Sequence, residues 1–193
     1  MTTAPAPTWR EMVTTFRRTS CRLETLSRYT VDPHEEGFRQ YLEGRPVPPA
    51  DPDLEDWRRL VAEATAAGRT VTRVRAISGP MPAYARYELE WGYPGNAAAG
   101  ERIHILHAAD LGAVLGPEPV GDFYLFDDQV VLTMEYDAEG RPLPSRLLTT
   151  PSAVAEYRHL WDLARRSAMS LEAYLAAQRR EPVLPPTSET RVA

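Results

Sequence analysis

Lysine is absent from the sequence: all 22 basic residues among its 193 are arginine. Without lysine the chain cannot form a lysine Schiff base with a carbonyl substrate. It also cannot supply the lysine of a phosphate-binding P-loop or of a phospholipase-D-type His-x-Lys motif. Codon bias in a GC-rich genome, which the abundant alanine, proline and arginine suggest, explains the absence without reference to function, but these chemistries are excluded in either case.

Cysteine is represented by Cys21 alone, so no disulfide can join two parts of this chain. No histidine is near it in the sequence, and we interpret it as a small buried strand residue rather than a reactive thiolate. No apolar run approaches the roughly 20 residues of a membrane-spanning helix. The first residues lack the basic and apolar regions of a secretory signal. We therefore expect a cytoplasmic protein that does not bind membranes.

Motifs for metals, cofactors and nucleic acids are also missing. The net charge of −5 gives no electrostatic reason for direct nucleic-acid binding. Zinc requires three or four converging ligands, and of the histidines only His104 and His107 are close in sequence, at a spacing that puts them on opposite faces of a strand. Neither a Gly-x-Ser-x-Gly nor a Gly-x-Gly-x-x-Gly pattern occurs. We expect no metal and no cofactor.

The length and patterning predict one α+β domain over 8–181, with flexible tails at 1–7 and 182–193. Periodicity near 3.6 predicts helices at 9–18, 32–43, 53–67, 82–91, 151–164 and 171–175. Alternation predicts strands at 21–25, 71–77, 103–106, 122–126, 129–136 and 142–148. Helices before, between and after the strands favour a mixed or antiparallel sheet with helices packed on it, which includes a three-stranded C-terminal meander.

The most unusual stretch is 84–93, YARYELEWGY, which we call the aromatic segment. At helical spacing Tyr84, Tyr87, Glu88 and Trp91 share one side, and a carboxylate on an aromatic stripe needs a partner. Arg86 and Glu90 are spaced as an i, i+4 pair.

Two arginines of the preceding strand, Arg73 and Arg75, share a strand face and could reach Glu88 or Glu90. One interpretation is an aromatic-walled pocket for a small ligand or a partner's side chain. The other is a core helix whose polar groups are satisfied by those arginines. The candidate site residues are therefore Arg73, Arg75, Tyr84, Arg86, Glu88 and Trp91.

Asp127 and Asp128 form a secondary candidate between two predicted strands. Paired carboxylates can perform acid–base chemistry or hold a metal. They are also common turn residues, because the side chain hydrogen-bonds to nearby backbone. We favour the turn.

Five stretches together resemble an uncharacterised family of actinobacterial proteins. They are RLET at 22–25, the aromatic segment, NAAAGE at 96–101, FYLFDD at 123–128 and AVAEYR at 153–158. Members of that family are commonly encoded beside Xre-type helix–turn–helix regulators and very small companion proteins. The end of the chain is also similar to the non-DNA-binding C-terminal domain of those regulators. The resemblance carries no catalytic residues, and it implies a sensory or adaptor role in a transcriptional switch by association only.

A weaker likeness connects the hairpin around 126–130 with a strand pair of the phospholipase-D-like fold. Because the His-x-Lys element is missing, that likeness implies a non-catalytic member.

Three functions stay open at this point. The first is a non-catalytic regulatory module that binds a protein partner, such as the regulator or the small companion, with or without a small ligand. The second is a small-metabolite enzyme in which Glu88 or Glu90 acts as acid–base and the arginines hold an anionic substrate. The third is a structural partner subunit without a pocket.

Overall fold

The structure, a computed structural model, describes residues 8–30, 32–46 and 52–180. The predicted tails at 1–7 and 182–193 lie outside these residues, as does most of a proline-rich loop predicted at 45–52. Within the described ranges, no helix combines the length and the apolar composition needed to cross a bilayer.

Seven strands of the described chain form one open, mixed sheet. They are β1 (Thr19–Glu24), β2 (Thr70–Ile77), β3 (Arg102–His107), β4 (Asp122–Phe126), β5 (Val130–Met134), β6 (Arg146–Leu148) and β7 (Met169–Ser170). Their order is β6-β5-β4-β1-β2-β3-β7. The neighbours β1, β2 and β3 are parallel and the other pairs are antiparallel. The α+β class is confirmed, and the predicted meander is the β4–β5–β6 unit.

The helices of the described residues cover both faces of the sheet. They are α1 (Trp9–Thr15), α2 (Asp32–Leu42), α3 (Pro52–Ala66), α4 (Ala83–Tyr87), α5 (Tyr93–Ala98), α6 (Leu111–Leu115), α7 (Pro151–Ser167) and α8 (Leu171–Arg180). A π-helical segment, Glu88–Gly92, joins α4 to α5, and a 3₁₀ turn, Ala108–Asp110, precedes α6. Predicted boundaries shift at several ends: α1 stops at Thr15 rather than near 18, and α3 begins at Pro52.

The predicted end of the helix at residue 91, just before Gly92 and Pro94, is wrong, since the chain stays helical to Ala98. In the π-helical segment the N–H of Tyr93 donates to the carbonyl of Glu88, five residues back. Pro94 then lies in the first turn of α5, directly after the π-helical segment. The widened turn therefore absorbs both helix breakers.

Strand alternation gives the sheet two buried faces of different chemistry. Cys21 and Leu23 of β1 join an apolar core that includes Trp161 of α7. The opposite face, beneath α1, α3 and α4–α5, carries Arg22 and Glu24 of β1 together with Arg73 and Arg75 of β2. We call it the charged face, and the candidate site lies there.

Candidate functional site

The floor of the site is a network of buried ions on adjacent strands. One carboxylate oxygen of Glu24 accepts hydrogen bonds from Nε of Arg22 at 2.7 Å and from Nη1 of Arg73 at 2.6 Å. Nε of Arg73 also donates to Glu101 at 2.7 Å, and the indole N–H of Trp57 donates to the other oxygen of Glu101 at 2.9 Å. The network thus ties β1 and β2 to helix α3 and to the residue before β3.

A second ion pair extends the network toward the aromatic segment. Arg75 is only 1% exposed, and its Nη2 lies 3.0 Å from Glu88. Its Nη1 donates to the carbonyl of Leu26 and to the hydroxyl of Tyr29. The predicted contact between a strand arginine and Glu88 is therefore present, and it is made by Arg75.

Asp122 completes the charged face from the neighbouring strand β4. It accepts hydrogen bonds from the Tyr29 hydroxyl at 2.6 Å and from the backbone N–H of Thr25 at 2.7 Å. Nη2 of Arg22 lies 3.5 Å from the same carboxylate. Its oxygens therefore fix the chain that leaves β1.

The two central glutamates differ in protonation behaviour. Burial opposes ionisation of Glu24, but Arg73 and Arg22 outweigh it and hold the pKa of this carboxyl well below its ordinary range. For Glu88 burial prevails over the attraction of Arg75, and neighbouring Glu24 adds repulsion, so the pKa of Glu88 is raised above its ordinary 4.5. Glu88 is thus the carboxyl of this pair that takes up a proton more readily.

Above the floor is a cavity of about 200 Å³. It is open between the charged face and helices α1, α3 and α4–α5. Polar groups of Arg22, Glu24, Arg73 and Glu88 lie at its base. Most of its wall is aromatic: besides Trp9 and Trp57, it comprises Tyr29, Tyr84, Tyr87, Tyr93, Tyr124 and Tyr136.

The aromatic rings are ordered by mutual contact and by the arginines beneath them. The rings of Trp9 and Tyr124 are parallel within 6°, with centroids 6.5 Å apart. The guanidinium of Arg22 lies 4.5 Å from the Tyr124 centroid. That of Arg73 lies 5.7 Å from the ring centroid of Trp57 and 5.6 Å from that of Tyr93. Cation–π contacts of this kind hold the wall against the floor.

One polar side chain at the cavity is left unsatisfied. Asn96 lines the cavity one helical turn after Tyr93 on α5 and is only 4% exposed. Its Oδ1 is buried and accepts no hydrogen bond from any described residue. A buried acceptor without a donor costs free energy and needs an explanation. The lining of the cavity therefore includes a buried polar side chain whose acceptor is unmatched.

The six residues predicted as a site are only partly brought together. Arg73, Tyr84 and Glu88 line the cavity, and Arg75 lies beneath it in contact with Glu88. The remaining two, Arg86 and Trp91, do not line it: Arg86 is exposed, and the ring of Trp91 packs against Tyr41 and Tyr87. Glu90 is also exposed, and it accepts a hydrogen bond from the Tyr41 hydroxyl.

Several lining residues were not among the predicted site residues. They come from α1, α3, β1, α5 and β4–β5, and those the site depends on most are Trp9, Arg22, Glu24, Trp57, Asn96 and Tyr124. One signal was available in β1, where Arg22 and Glu24 alternate with Cys21 and Leu23. That alternation places two opposite charges on one face of the strand, which in the structure is the charged face.

The secondary candidates, Asp127 and Asp128, form the tight turn between β4 and β5. Both have positive φ, 54° and 56°, which fits a hairpin turn of type I′. The carboxylate of Asp127 accepts hydrogen bonds from the backbone N–H groups of Arg17 (2.8 Å), Arg18 (2.7 Å) and Thr19 (2.9 Å). Asp127 therefore connects the end of α1 and the start of β1 to the hairpin.

Replacing Asp127 by alanine is expected to lower the free energy of unfolding by about 2–3 kcal/mol. Three charge-assisted hydrogen bonds would be lost, and alanine tolerates positive φ poorly. Urea denaturation followed by circular dichroism measures the change. Asp128→Ala is the matched control: it lies in the same turn, but its ion pair with Arg158 is exposed and has an N–O distance of 3.4 Å, so the loss should be smaller.

The same carboxylate should produce a pH dependence. Burial opposes its charge, but the N–H donors of Thr19, Arg17 and Arg18 outweigh burial and lower the pKa of Asp127 below its ordinary 3.8. The stabilisation is thus present above pH 3.8 and disappears as pH falls through the folded-state pKa. The stability difference between wild type and Asp127→Asn should shrink in that range, and a constant difference would contradict this role.

Cys21 takes no part in the site. It lies on the apolar face of β1, and burial, with a smaller contribution from Asp128 and Asp162, raises the pKa of its thiol to about 12. At neutral pH the group is a protonated thiol, as expected for a core residue.

Comparison with protein-family models matches residues 7–176 to a family described as a domain of unknown function, DUF6879. A search of curated proteins finds no match. The matched segment contains every cavity residue named above, so the charged face and its aromatic wall lie within the shared domain. The chain therefore belongs to the DUF6879 family.

Proposed function

We propose that this protein is a non-catalytic regulatory module that binds a small ligand in the aromatic cavity and acts through a protein partner. The observation that carries the proposal is the cavity itself, in which aromatic walls enclose about 200 Å³ above polar groups. Concave sites that combine apolar walls with a few convergent polar groups are typical of small-molecule binding.

Binding is favoured over catalysis because most of the carboxylates already have partners. Glu24 is paired with Arg22 and Arg73, Glu101 with Arg73 and Trp57, and Asp122 with Tyr29. A general acid or base must exchange a proton with substrate, and groups fixed by two or three strong donors are poorly placed to do so. Such groups instead make a rigid, preorganised floor.

The partner is proposed from the resemblance to proteins encoded beside helix–turn–helix regulators. We place the protein in the cytoplasm of an actinobacterium, where its partner is such a regulator or a very small companion protein. Any effect on transcription would pass through that partner, because the chain has a net charge of −5 and no helix–turn–helix that its sequence supports. Co-expression and copurification with the proteins encoded beside its gene tests this part of the proposal.

Gly92 allows the cavity to be filled without disturbing its walls. It lines the cavity in a helical conformation, φ −84° and ψ −61°, and a Cβ built there would meet no atom within 4 Å. Gly92→Leu should therefore occupy the space that a ligand needs while keeping the fold. We expect fragments that raise the melting temperature of wild type to have no effect on this variant.

The measurement is a thermal-shift screen with a library of ring-containing fragments, confirmed by ligand-observed NMR. Gly112→Leu is the matched control, because Gly112 lies in α6, outside the cavity lining, and a Cβ there also meets no atom within 4 Å. It should bind fragments like wild type. Fragments that bind wild type and Gly92→Leu equally, or a complete lack of binding, would overturn the ligand-binding role.

A second candidate function is an enzyme that uses Glu88 as acid–base. It is favoured by one observation: Glu88 lines the cavity, its side chain is 13% exposed, and its pKa is raised by burial. Under the binding proposal, Glu88→Gln keeps fragment affinity, and no bound fragment is turned over by wild type. Conversion of a bound molecule by wild type but not by Glu88→Gln would favour the enzyme.

A further inference from the structure

We infer that the ligand of the aromatic cavity is a small, flat, uncharged ring compound whose edge carries an N–H or O–H donor that hydrogen-bonds to Asn96. This inference rests on the proposed ligand-binding function and specifies its chemistry. It stands on the charge balance of the floor, the unsatisfied amide oxygen and the size and chemistry of the walls.

The charge balance of the site leaves no counter-ion for a charged ligand. Each guanidinium on the floor has a carboxylate oxygen within hydrogen-bond distance: 2.7 Å for Arg22, 2.6 Å for Arg73 and 3.0 Å for Arg75. These three arginines and the exposed Arg10 at the rim are matched by four carboxylates, Glu24, Glu88, Glu101 and Asp122. An anion would have to displace one of these carboxylates, and a cation would lie next to Arg22 and Arg73. Both would pay a desolvation cost without a free partner.

The amide of Asn96 specifies the hydrogen-bonding group on the ligand. Its Oδ1 is a neutral acceptor, is nine-tenths buried and has no donor among the described residues. The indole N–H of Trp57 and the guanidinium of Arg73 are engaged by Glu101 and Glu24. Nε of Arg58, whose guanidinium lies beside Gly95, makes no hydrogen bond to this amide. A donor must therefore come from the molecule that enters. Sites built to hydrogen-bond a ligand donor discriminate strongly against analogues that lack it.

The size of the cavity limits the ligand to about one ring with a substituent. An apolar cavity of about 150 Å³ accepts benzene in a well-studied engineered protein, and this cavity measures about 200 Å³. Its lining includes the aromatic rings of Trp9, Trp57, Tyr93 and Tyr124, and flat aromatic molecules pack well against aromatic walls. A ring that carries a primary amide or a similar group meets all three requirements: it is uncharged, it carries an N–H donor, and it fits the volume of the cavity.

Four probes of nearly equal size separate these requirements. Benzamide is neutral and carries N–H donors, acetophenone is neutral and lacks them, benzoate is an anion, and benzamidine is a cation at neutral pH. Dissociation constants are measured for the full chain by ligand-observed NMR at pH 7. We expect benzamide to bind about tenfold more tightly than acetophenone, because one buried hydrogen bond is gained, and more tightly than either ion.

Asn96→Leu provides the residue-level test. It should reduce benzamide affinity to that of acetophenone and leave acetophenone affinity unchanged. Should this variant fail to fold, the preference of wild type for benzamide over acetophenone still decides the question. Equal affinity of those two probes, or tighter binding of benzoate or benzamidine, overturns this inference but not the ligand-binding role, provided that Gly92→Leu abolishes the binding.

If none of the four probes binds while other library fragments do, the inference fails and the proposed function survives. If wild type binds no fragment of any kind, both fail.

Discussion

Replacing Arg73 by methionine is expected to lower the free energy of unfolding by about 3–5 kcal/mol. Arg73 is the only described side chain that pairs with both Glu24 and Glu101, at 2.6 and 2.7 Å. Methionine fills much of the same volume but leaves both carboxylates short of a partner in a buried site. The cost of an uncompensated buried charge, rather than the strength of the pair itself, dominates such substitutions. Equilibrium urea denaturation measures the change.

The matched control is Arg39→Met on the surface of α2. Arg39 also contacts two carboxylates, Glu36 and Glu43, but all three side chains are at least a third exposed. Exposed pairs contribute about 0–1 kcal/mol, so this variant should stay close to wild type. The double variant Arg73→Met with Glu101→Gln should recover part of the loss, because one orphaned charge is removed. Similar small losses for Arg73→Met and Arg39→Met would show that water solvates the network.

Replacing Trp57 by alanine is expected to cost about 3–5 kcal/mol, since a large buried ring is removed from between α3 and the charged face. The ring also contacts Trp9 edge-on, with centroids 6.0 Å apart, so the wall of the cavity would collapse or open. Fragment binding in the cavity should be lost as well. Circular dichroism during urea denaturation is the appropriate readout, because the substitution alters tryptophan fluorescence.

Trp57→Phe distinguishes the contribution of the aromatic ring to stability from that of the indole N–H group. Phenylalanine keeps most of the wall but removes the donor to Glu101, which should cost about 1–3 kcal/mol. A loss as large as that of Trp57→Ala would mean that the hydrogen bond, and not the packing, is the main contribution. A loss near zero would mean that Glu101 is satisfied by Arg73 alone.

Local signals in the sequence located many elements correctly. The sequence Thr8-Trp9-Arg10-Glu11 is typical of a capping box, and the box is present at the start of α1: Glu11 N–H donates to Thr8 Oγ1, and Thr8 N–H donates to Glu11. Ser170 caps α8 through the N–H of Ala173. The assignment of Arg73 and Arg75 to one face of β2 is also confirmed. These features depend on residues within a few positions of one another.

The rest of the site depends on pairings that a single sequence does not specify. Alternation in β1 places Arg22 and Leu23 on opposite faces of the strand, but it does not show that helices cover both faces. Asn96 lies beyond Gly92 and Pro94, which normally end helices, and only the π-helical turn keeps α5 in line. Asp122 meets Tyr29 across 93 positions of the chain. Such contacts follow from the strand order, which local periodicity does not determine.

Gly92, which has no side chain and lies in the π-helical segment, has a consequence for comparing members of the family. Because position 92 here is glycine and opens directly onto the cavity, its side chain would determine how much room a guest molecule has. Homologues with a bulky residue there would have a filled chamber, whereas those with glycine or alanine would retain a vacant one. The residue at the position equivalent to 92 in an alignment would thus separate family members with an open cavity from those with a filled one before any of them is purified.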